Sequence, residues 1–219
     1  MINLLNNKNG EEMATPLEKA RKDPDSMKAK ILDSAKKIFS EYGYHGATTR
    51  MIAKDVGIDI STLYYHWGEK KDLYESVILD LDHKMKHLLI KIEKQVAAKP
   101  LAERLEIGID LICDYLFENP EICNLVLSRY FSKIRFGEIL DFKVPEYISN
   151  IIISFGLASD KHNIPVESKA RIVAVCNSIF TFIAGKNFLT PMFDMELNEY
   201  YQLVKDTLKF ILIPAFTQS

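Results

Sequence analysis

The residues best suited to chemistry form one short run, STLYYHW, from Ser61 to Trp67, in which hydroxyl, aromatic and imidazole groups follow one another. In a helix, Leu63 and Trp67 are four residues apart and share a face, so they are predicted to pack inward. Small hydroxyl groups and exposed rings on a short helix suit the major groove of DNA, where they can reach phosphates, base edges and thymine methyl groups. The candidate contact residues of this helix are Ser61, Thr62, Tyr64, Tyr65 and His66. The alternative is that both tyrosines pack on the first long helix, MKAKILDSAKKIFSEYG, and contact nothing outside the protein.

The run lies in the second of two short predicted helices. Thr48 can cap TRMIAKDV, which Gly57 ends, and Asp59 can cap ISTLYYHW, which Gly68 ends. Two helices of about two turns each, joined by GID, form a helix-turn-helix.

Longer helices are predicted on both sides of the helix-turn-helix. Asp25 or Ser26 can cap MKAKILDSAKKIFSEYG, whose apolar residues recur every three or four positions, and Gly43 follows its last turn. A long amphipathic helix is expected from about Lys70. Residues 1–24 are polar and lack periodicity, so they are predicted to form a flexible arm. The DNA-binding domain is then expected over residues 25–72 and a second domain over residues 73–219.

The second domain is also predicted to be helical. Breaks fall at prolines and at short polar stretches, and NIIISF is ambiguous between strand and buried helix, although its flanks favour helix. The expected fold is therefore all-α, with an N-terminal three-helix DNA-binding domain and a C-terminal helical ligand-binding and dimerisation domain.

The composition is that of an ordinary globular protein and does not by itself identify a function. The chain has 219 residues, is 47% hydrophobic, and carries a net charge of 28 − 30 = −2, so DNA binding must depend on a local surface. The stretch from Arg21 to Glu75 has ten basic and nine acidic residues, a formal +1. The three cysteines are widely spaced, which indicates a reducing compartment. With no signal peptide or apolar run long enough to span a membrane, we expect a cytoplasmic protein.

From Ile31 to Ile78 the sequence resembles the TetR family of bacterial transcriptional regulators. The matching pattern is a helix ending in F-x-x-x-G-Y, then T-T-x-x-I-A, G, T-L-Y-x-H with an aromatic residue, and K-x-D-L. The resemblance implies that Thr49 contacts a phosphate through its hydroxyl and that Lys70 binds a phosphate at the start of the long helix. It also implies DNA contacts for Tyr64, Tyr65 and His66 and a close approach of Ser61 to the bases. Arg50 is an additional candidate, on grounds of exposure alone.

Two residues depart from the family pattern. Asp59 stands where many relatives have serine, and its charge near phosphates is unfavourable unless a capping hydrogen bond holds it back. Ile60 replaces a polar residue and either touches a thymine methyl group or packs inward.

The resemblance implies that the last two long helices form a dimer interface. Residues placed near it are Thr181, Ala184, Val204, Leu208, Ile211 and Leu212, with Asn177 and Phe180 beside them. The alternative is that these residues belong to the core of a single chain.

The resemblance also implies a pocket for a small, mainly apolar effector within the second domain. Candidate lining residues are Phe117, Asn124, Arg129, Tyr130, Phe131, Phe136, Tyr147, Phe155, Asn177 and Phe180.

The sequence favours no enzyme, cofactor or metal. His83 and His87 are four residues apart near Asp80 and Asp82, but a solvated helix face explains them better than a metal site that lacks a third ligand. We therefore expect a homodimeric regulator, with repression favoured, that binds a palindromic operator and leaves it on binding the effector. The alternative is a TetR-like DNA-binding structural or partner-regulated protein without a small-molecule effector.

Overall fold

The computed structural model describes residues 14–131, 143–155 and 157–217, and every regular element in these ranges is an α-helix. The expectation of an all-α fold is confirmed. The chain divides into two compact units, one up to His83 and one from Lys84 onward. The division falls inside a long helix rather than at its start, where the sequence placed it.

The N-terminal unit contains the helix-turn-helix. Its helices are α1 (Pro16–Lys22), α2 (Met27–Gly46), α3 (Thr49–Val56), α4 (Ile60–Trp67) and the first part of α5 (Lys70–Val96). Ser26 caps α2, because its hydroxyl accepts from the backbone N–H of Ala29 at 3.2 Å. The predicted stop at Gly43 appears as a break within α2, where this glycine has a φ of 65°. α2 packs against α1, α3 and α4 and forms the centre of the unit.

The helix α1 corrects the expectation of a flexible arm over residues 1–24. Thr15 and Glu18 form a capping box, in which each side chain accepts from the other residue's backbone N–H, at 3.2 and 2.7 Å. Pro16 occupies the first helical position, where it costs no hydrogen bond. Leu17 and Ala20 are buried where α1 packs on α2. Burial of this short apolar face orders the segment, which is too short to show a helical periodicity. Residues 1–13 lie outside the described range.

Asp80 of α5 lies buried between two cations. Its carboxylate accepts from Arg21 Nε at 3.0 Å and from Lys36 Nζ at 3.4 Å, and its side chain is 4% exposed. Arg21 also donates from Nη2 to the carbonyl oxygen of Leu79 at 3.2 Å. The carboxylate thereby joins α1 and α2 to α5. From the sequence, this part of the helix was expected to present a solvated face.

The C-terminal unit contains the rest of α5 and six further helices. They are α6 (Leu101–Glu118), α7 (Glu121–Phe131), α8 (Lys143–Ser154), α9 (Val166–Ala184), α10 (Lys186–Met192) and α11 (Leu197–Thr217). NIIISF lies largely in α8, so its ambiguity resolves as helix. α9 packs against α6, α7, α8, α10 and α11, and α11 lies along α6. Lys209 donates to Asp110 at 2.7 Å and Lys205 contacts Asp114, which links α11 to α6.

Three residues of the expected dimer interface lie instead in the core of the single chain. Val204, Leu208 and Leu212 recur every four residues on the face of α11 that its own chain covers, and each is buried. A covered side chain leaves little surface for a partner, so the alternative of an intrachain core holds for these three. Ile211 is exposed, and so is Thr181 of α9.

No single helix in the described ranges is both long and apolar enough to cross a membrane. Val166–Ala184 and Lys186–Met192 pass that test of length and composition only when taken as one pair, and they are bent by 75°.

Candidate nucleic-acid interface

The first short helix begins at the cap that the sequence predicted, and both short helices end at the predicted glycines. The hydroxyl of Thr48 accepts from the backbone N–H of Met51 at 3.2 Å and starts α3. Gly57 ends α3 with a φ of 77°, a left-handed conformation that glycine adopts without steric cost. Gly68 ends α4 with a φ of 74°. Each short helix thus begins after an N-cap residue and ends at a glycine, and this arrangement defines the helix-turn-helix.

Asp59 begins α4, but its side chain makes no capping hydrogen bond. Its backbone carbonyl oxygen accepts from the N–H groups of Thr62 and Leu63, at 3.0 and 3.3 Å. An N-cap side chain normally accepts from the N–H of the third helical residue, which here is Thr62. Since this N–H donates to the backbone oxygen instead, the Asp59 carboxylate makes no capping hydrogen bond and lies at the exposed start of the helix. The predicted cap is therefore wrong in its side-chain part, and the negative charge is not held back.

α4 has one buried face and one open face. Leu63 is 0% exposed and Trp67 is 3% exposed, which confirms the prediction that both pack inward. The open face includes Tyr65, which is 83% exposed, and Tyr64, which is 47% exposed. Ser61 is exposed as well. The helix is thus anchored from behind and presents hydroxyl and phenol groups outward.

The hydroxyl groups of Thr49 and Tyr64 lie 3.4 Å apart, which joins the first turn of α3 to the middle of α4. Two hydroxyl groups at this separation can both donate to the oxygens of one phosphate group. Arg50, the next residue, is exposed. The structure therefore brings together Thr49 and Tyr64, two of the candidates for DNA contact, with the exposed Arg50 next to Thr49 in the chain.

Lys70 lies over an aromatic ring. Its ammonium nitrogen is 4.4 Å from the centroid of Tyr44, a cation–π distance. Tyr44 itself packs edge-on against Tyr74, with ring centroids 4.9 Å apart, and stacks on Phe39 at 6.2 Å. Burial lowers the pKa of Lys70 from its ordinary value. Tyr44 belongs to the G-Y pair of the family pattern, but its contact with Lys70 was not predicted from the sequence.

His66 contacts the first turn of α2. Its Nδ1 lies 2.9 Å from the Nζ of Lys28, and the indole N–H of the next residue, Trp67, donates to the carbonyl oxygen of Lys28 at 3.2 Å. Burial, and then the charge of Lys28, lower the pKa of His66. Lys28 was missed because it is 38 residues from His66 in sequence, and no local pattern marks the contact.

The candidate effector residues are spread over α6, α7, α8 and α9. Phe117 is buried and stacks on Tyr201 with centroids 3.8 Å apart, so it packs within the chain. Tyr130 is 48% exposed, while Asn177 has a buried Oδ1 without a hydrogen-bond partner among the described residues. The partly buried candidates are Asn124, Arg129, Tyr147, Phe155 and Phe180. Phe136 and the side chain of Phe131 lie outside the described residues.

Within the described ranges, no group of three or more histidine, cysteine or acidic side chains could hold a metal ion. Burial raises the pKa of the Cys113 and Cys123 thiols to about 12. Both sulfurs are therefore in the unreactive thiol form at neutral pH.

This geometry defines a class of protein, an all-α protein with an N-terminal helix-turn-helix whose second helix presents an open polar and aromatic face. Residues 31–77 match the family described as bacterial regulatory proteins, tetR family. Residues 31–77 are therefore similar to the DNA-binding domain of the TetR family, and the match covers the helix-turn-helix with the helices on either side of it.

Curated relatives match a stretch of similar length. Over 52 residues the chain is 50% identical to the biofilm operon icaADBC HTH-type negative transcriptional regulator IcaR of Staphylococcus aureus (strain Newman). It is 44% identical over 52 residues to the IcaR of Staphylococcus epidermidis. Each match spans 24% of this chain and 28% of the relative.

Solved structures resemble most of the fold. The fatty acid degradation regulator FadR from Bacillus halodurans has a TM-score of 0.55 at 19% identity, over 84% of this chain and 94% of that one. FadR from Bacillus subtilis, solved in complex with stearoyl-CoA, has a TM-score of 0.53 at 18% identity, over 82% and 96% of the two chains. At these identities the likeness concerns the fold.

Proposed function

We propose that this protein is a transcriptional repressor that binds a palindromic operator as a homodimer in the cytoplasm and releases it when a small, mainly apolar effector binds. The observation that carries the proposal is the division of α4 into a buried face, with Leu63 and Trp67, and an open face, with Tyr65 fully outward. A helix anchored in this way can enter a major groove without losing its packing. Repression is the proposed sign because the relatives that match part of this chain are named negative regulators.

Backbone contacts are proposed for four residues beside α4. Thr49 and Tyr64 supply paired hydroxyl groups, and Arg50 and Lys70 supply positive charge. With two cations in each of two subunits, about four phosphates would be neutralised, which corresponds to a slope of about −4 for log K against log salt. Ser61, Thr62, Tyr65 and His66 are proposed to reach base edges or neighbouring phosphates.

Dimerisation is proposed through the exposed faces of α9 and α11. On α11, Leu203, Phe210 and Ile211 lie at spacings of seven and eight residues on one face, and Phe210 is 82% exposed. On α9, Thr181 is exposed and Ala184 is partly so. A two-turn helix reads only a few base pairs, so two copies related by a twofold axis would supply the specificity that one copy lacks.

The effector is proposed to bind around α9, which packs against α6, α7 and α8. Asn177 supports this position, because a buried oxygen without a partner costs free energy that a ligand donor would recover. The release of DNA then requires only that the effector binds more tightly to the conformation that binds DNA less well. Because the coupling is reciprocal, bound DNA weakens effector binding by the same factor by which the effector weakens DNA binding.

Fluorescence anisotropy on palindromes from the DNA flanking the gene tests the proposal. Binding that weakens with salt at a slope of about −4, and a loss of slope of about 2 for the dimer of Lys70→Met, are expected. The matched control is Lys30→Met, which removes an exposed charge on α2. Absence of salt-dependent binding to every palindrome, with folded protein, would contradict DNA binding.

Two further measurements test the other parts of the proposal. Phe210→Ser should shift the protein toward monomer in sedimentation without unfolding it, whereas an unchanged dimer would rule out this face. Thermal shifts with apolar compounds, including long-chain acyl-CoA esters because the fold-related FadR binds stearoyl-CoA, should reveal an effector that lowers operator affinity. If no compound does so and a protein partner does, the partner-regulated alternative is correct.

A further inference from the structure

We propose that Lys28 is a positioning residue for DNA recognition, which holds the His66 ring in a single neutral tautomer so that its Nε2–H is the group offered to DNA. The proposal rests on the proposed operator binding. It adds a residue of α2, outside the helix-turn-helix, to the residues that determine how α4 meets DNA.

The geometry of the contact determines the tautomer. The Nζ of Lys28 and the Nδ1 of His66 are 2.9 Å apart, a hydrogen-bond distance. A lysine ammonium has three donors and no acceptor, so the ring nitrogen that faces it must accept. Nδ1 therefore carries no proton, and the proton of the neutral imidazole is on Nε2. A doubly protonated ring would place two donors against each other, which the contact does not permit.

Lys28 holds α4 at two points, and this makes the ring position specific. The carbonyl oxygen of Lys28 accepts from the indole N–H of Trp67 at 3.2 Å, while its side chain donates to His66. Trp67 is buried and cannot shift without a loss of packing. The two hydrogen bonds fix adjacent residues of α4, so the imidazole has little freedom to turn.

The groups around His66 favour the neutral ring. Lys28 faces it from α2, and the ring of Tyr65 lies against it from within α4, with centroids 5.2 Å apart. Lys19 of α1 adds positive charge near Lys28. Burial and the neighbouring cation both lower the pKa of His66, and burial and Lys19 lower the pKa of Lys28. Because histidine loses its proton long before lysine, the pair at neutral pH consists of an ammonium donor and a neutral imidazole acceptor.

A neutral ring with Nε2–H outward offers DNA one hydrogen-bond donor, suited to a phosphate oxygen or to the acceptors of a base edge. Without Lys28 the ring could take either tautomer and would protonate more readily. Protonation adds positive charge beside DNA, so operator binding should then tighten as the pH falls through the pKa of His66. Lys28 thus keeps the strength of this contact constant around neutral pH.

The first test uses the full chain without DNA. Nitrogen-15 NMR of the imidazole rings, with the His66 signal assigned through His66→Gln, should show a single Nε2–H tautomer and a pKa below about 6.5. Lys28→Met should give mixed tautomers and a pKa above that of the wild type but still lowered, because burial of the ring remains, while Lys28→Arg, which retains a donor, should keep the wild-type signature. Lys30→Met is the matched control and should change neither. An identical His66 signature in wild type and Lys28→Met would overturn the proposal.

The second test measures operator binding of the same variants between pH 5.5 and 8. Lys28→Met should weaken binding about five-fold per half-site at pH 7.5, the loss of about one net hydrogen bond, and its affinity should rise more than that of the wild type as the pH falls toward 5.5. Its salt slope should remain that of the wild type. A reduced slope with unchanged tautomers would mean that Lys28 contacts phosphate itself, and an unchanged affinity would remove its role in recognition. If the wild type shows the tautomer but binds no palindrome, the proposed function fails, and the role in DNA recognition fails with it.

Discussion

Replacement of Tyr65 by alanine should leave the fold intact and weaken operator binding. The side chain is 83% exposed, so 100 − 83 = 17% of its surface is covered by the protein. For an aromatic residue of about 200 Å² this is about 35 Å², worth about 0.9 kcal/mol at about 25 cal/mol per Å². Alanine recovers about 0.5 kcal/mol through its higher helix propensity. The free energy of unfolding should therefore fall by no more than about 0.5 kcal/mol.

The effect on DNA binding should be larger, because the ring would be covered only in the complex. An exposed aromatic side chain that becomes buried at an interface contributes about 1 kcal/mol or more. Two copies on a palindrome lose about 2 kcal/mol together, which is roughly a 30-fold increase in Kd. The change should be seen on the specific operator and less on unrelated DNA, if the ring contacts bases.

Anisotropy titrations and urea unfolding measured on the same preparation separate the two effects. Tyr42→Ala is the matched control, because Tyr42 is also an exposed tyrosine but lies on α2. Leu63→Ala provides the opposite pattern: its side chain is 0% exposed, and its loss should cost about 2–5 kcal/mol of stability. If Tyr65→Ala lowered stability by more than about 1.5 kcal/mol and left Kd unchanged, the ring would be a packing residue and the assignment of the open face would be refuted.

Two further substitutions test contacts that the sequence did not reveal. Tyr44→Leu removes the ring beneath Lys70 and should weaken operator binding about two- to five-fold, whereas Tyr44→Phe should retain it; equal losses in anisotropy titrations would exclude the cation–π contact. Asp80→Ala removes the buried carboxylate that Lys36 contacts and should lower the free energy of unfolding by about 3 kcal/mol in urea titrations. Asp33→Ala removes an exposed partner of the same lysine and should cost less than about 1 kcal/mol, so comparable losses would contradict the importance of burial.

Local features of the N-terminal unit could be predicted because short-range chemistry determines them. Thr48, Gly57 and Gly68 act within one turn of their own positions, and the inward face of α4 follows from helical spacing alone. The helix α1 was equally readable, since Thr15 and Glu18 stand at the spacing of a capping box with a proline between them. It was missed because a helix of seven residues is too short for a periodicity argument.

Long-range contacts could not be predicted, because no local pattern encodes them. Arg21 and Asp80 are 59 residues apart, and their pairing depends on how α1 and α5 pack. The same limit explains the error at α11, a helix apolar on nearly every face. Leu208 and Ile211 are three residues apart and therefore neighbours on the helix surface, so spacing alone cannot show that Leu208 is buried and Ile211 exposed.

The placement of charge explains how a chain with a net charge of −2 can present a surface for DNA. Carboxylates contact Lys36 and Lys37, which lie along α2 away from its first turn. Lys28 and Lys70, by contrast, lie against an imidazole and a phenol ring, which carry no charge at neutral pH. A neutral neighbour orients an ammonium group without cancelling its charge, so Lys70 keeps its charge beside α4, while the ammonium group of Lys28 is directed at His66. The carboxylates that contact Lys36 and Lys37 are thus paired with cations of α2, whereas the exposed Asp59 carboxylate at the start of α4 lowers the local potential that Lys70 raises.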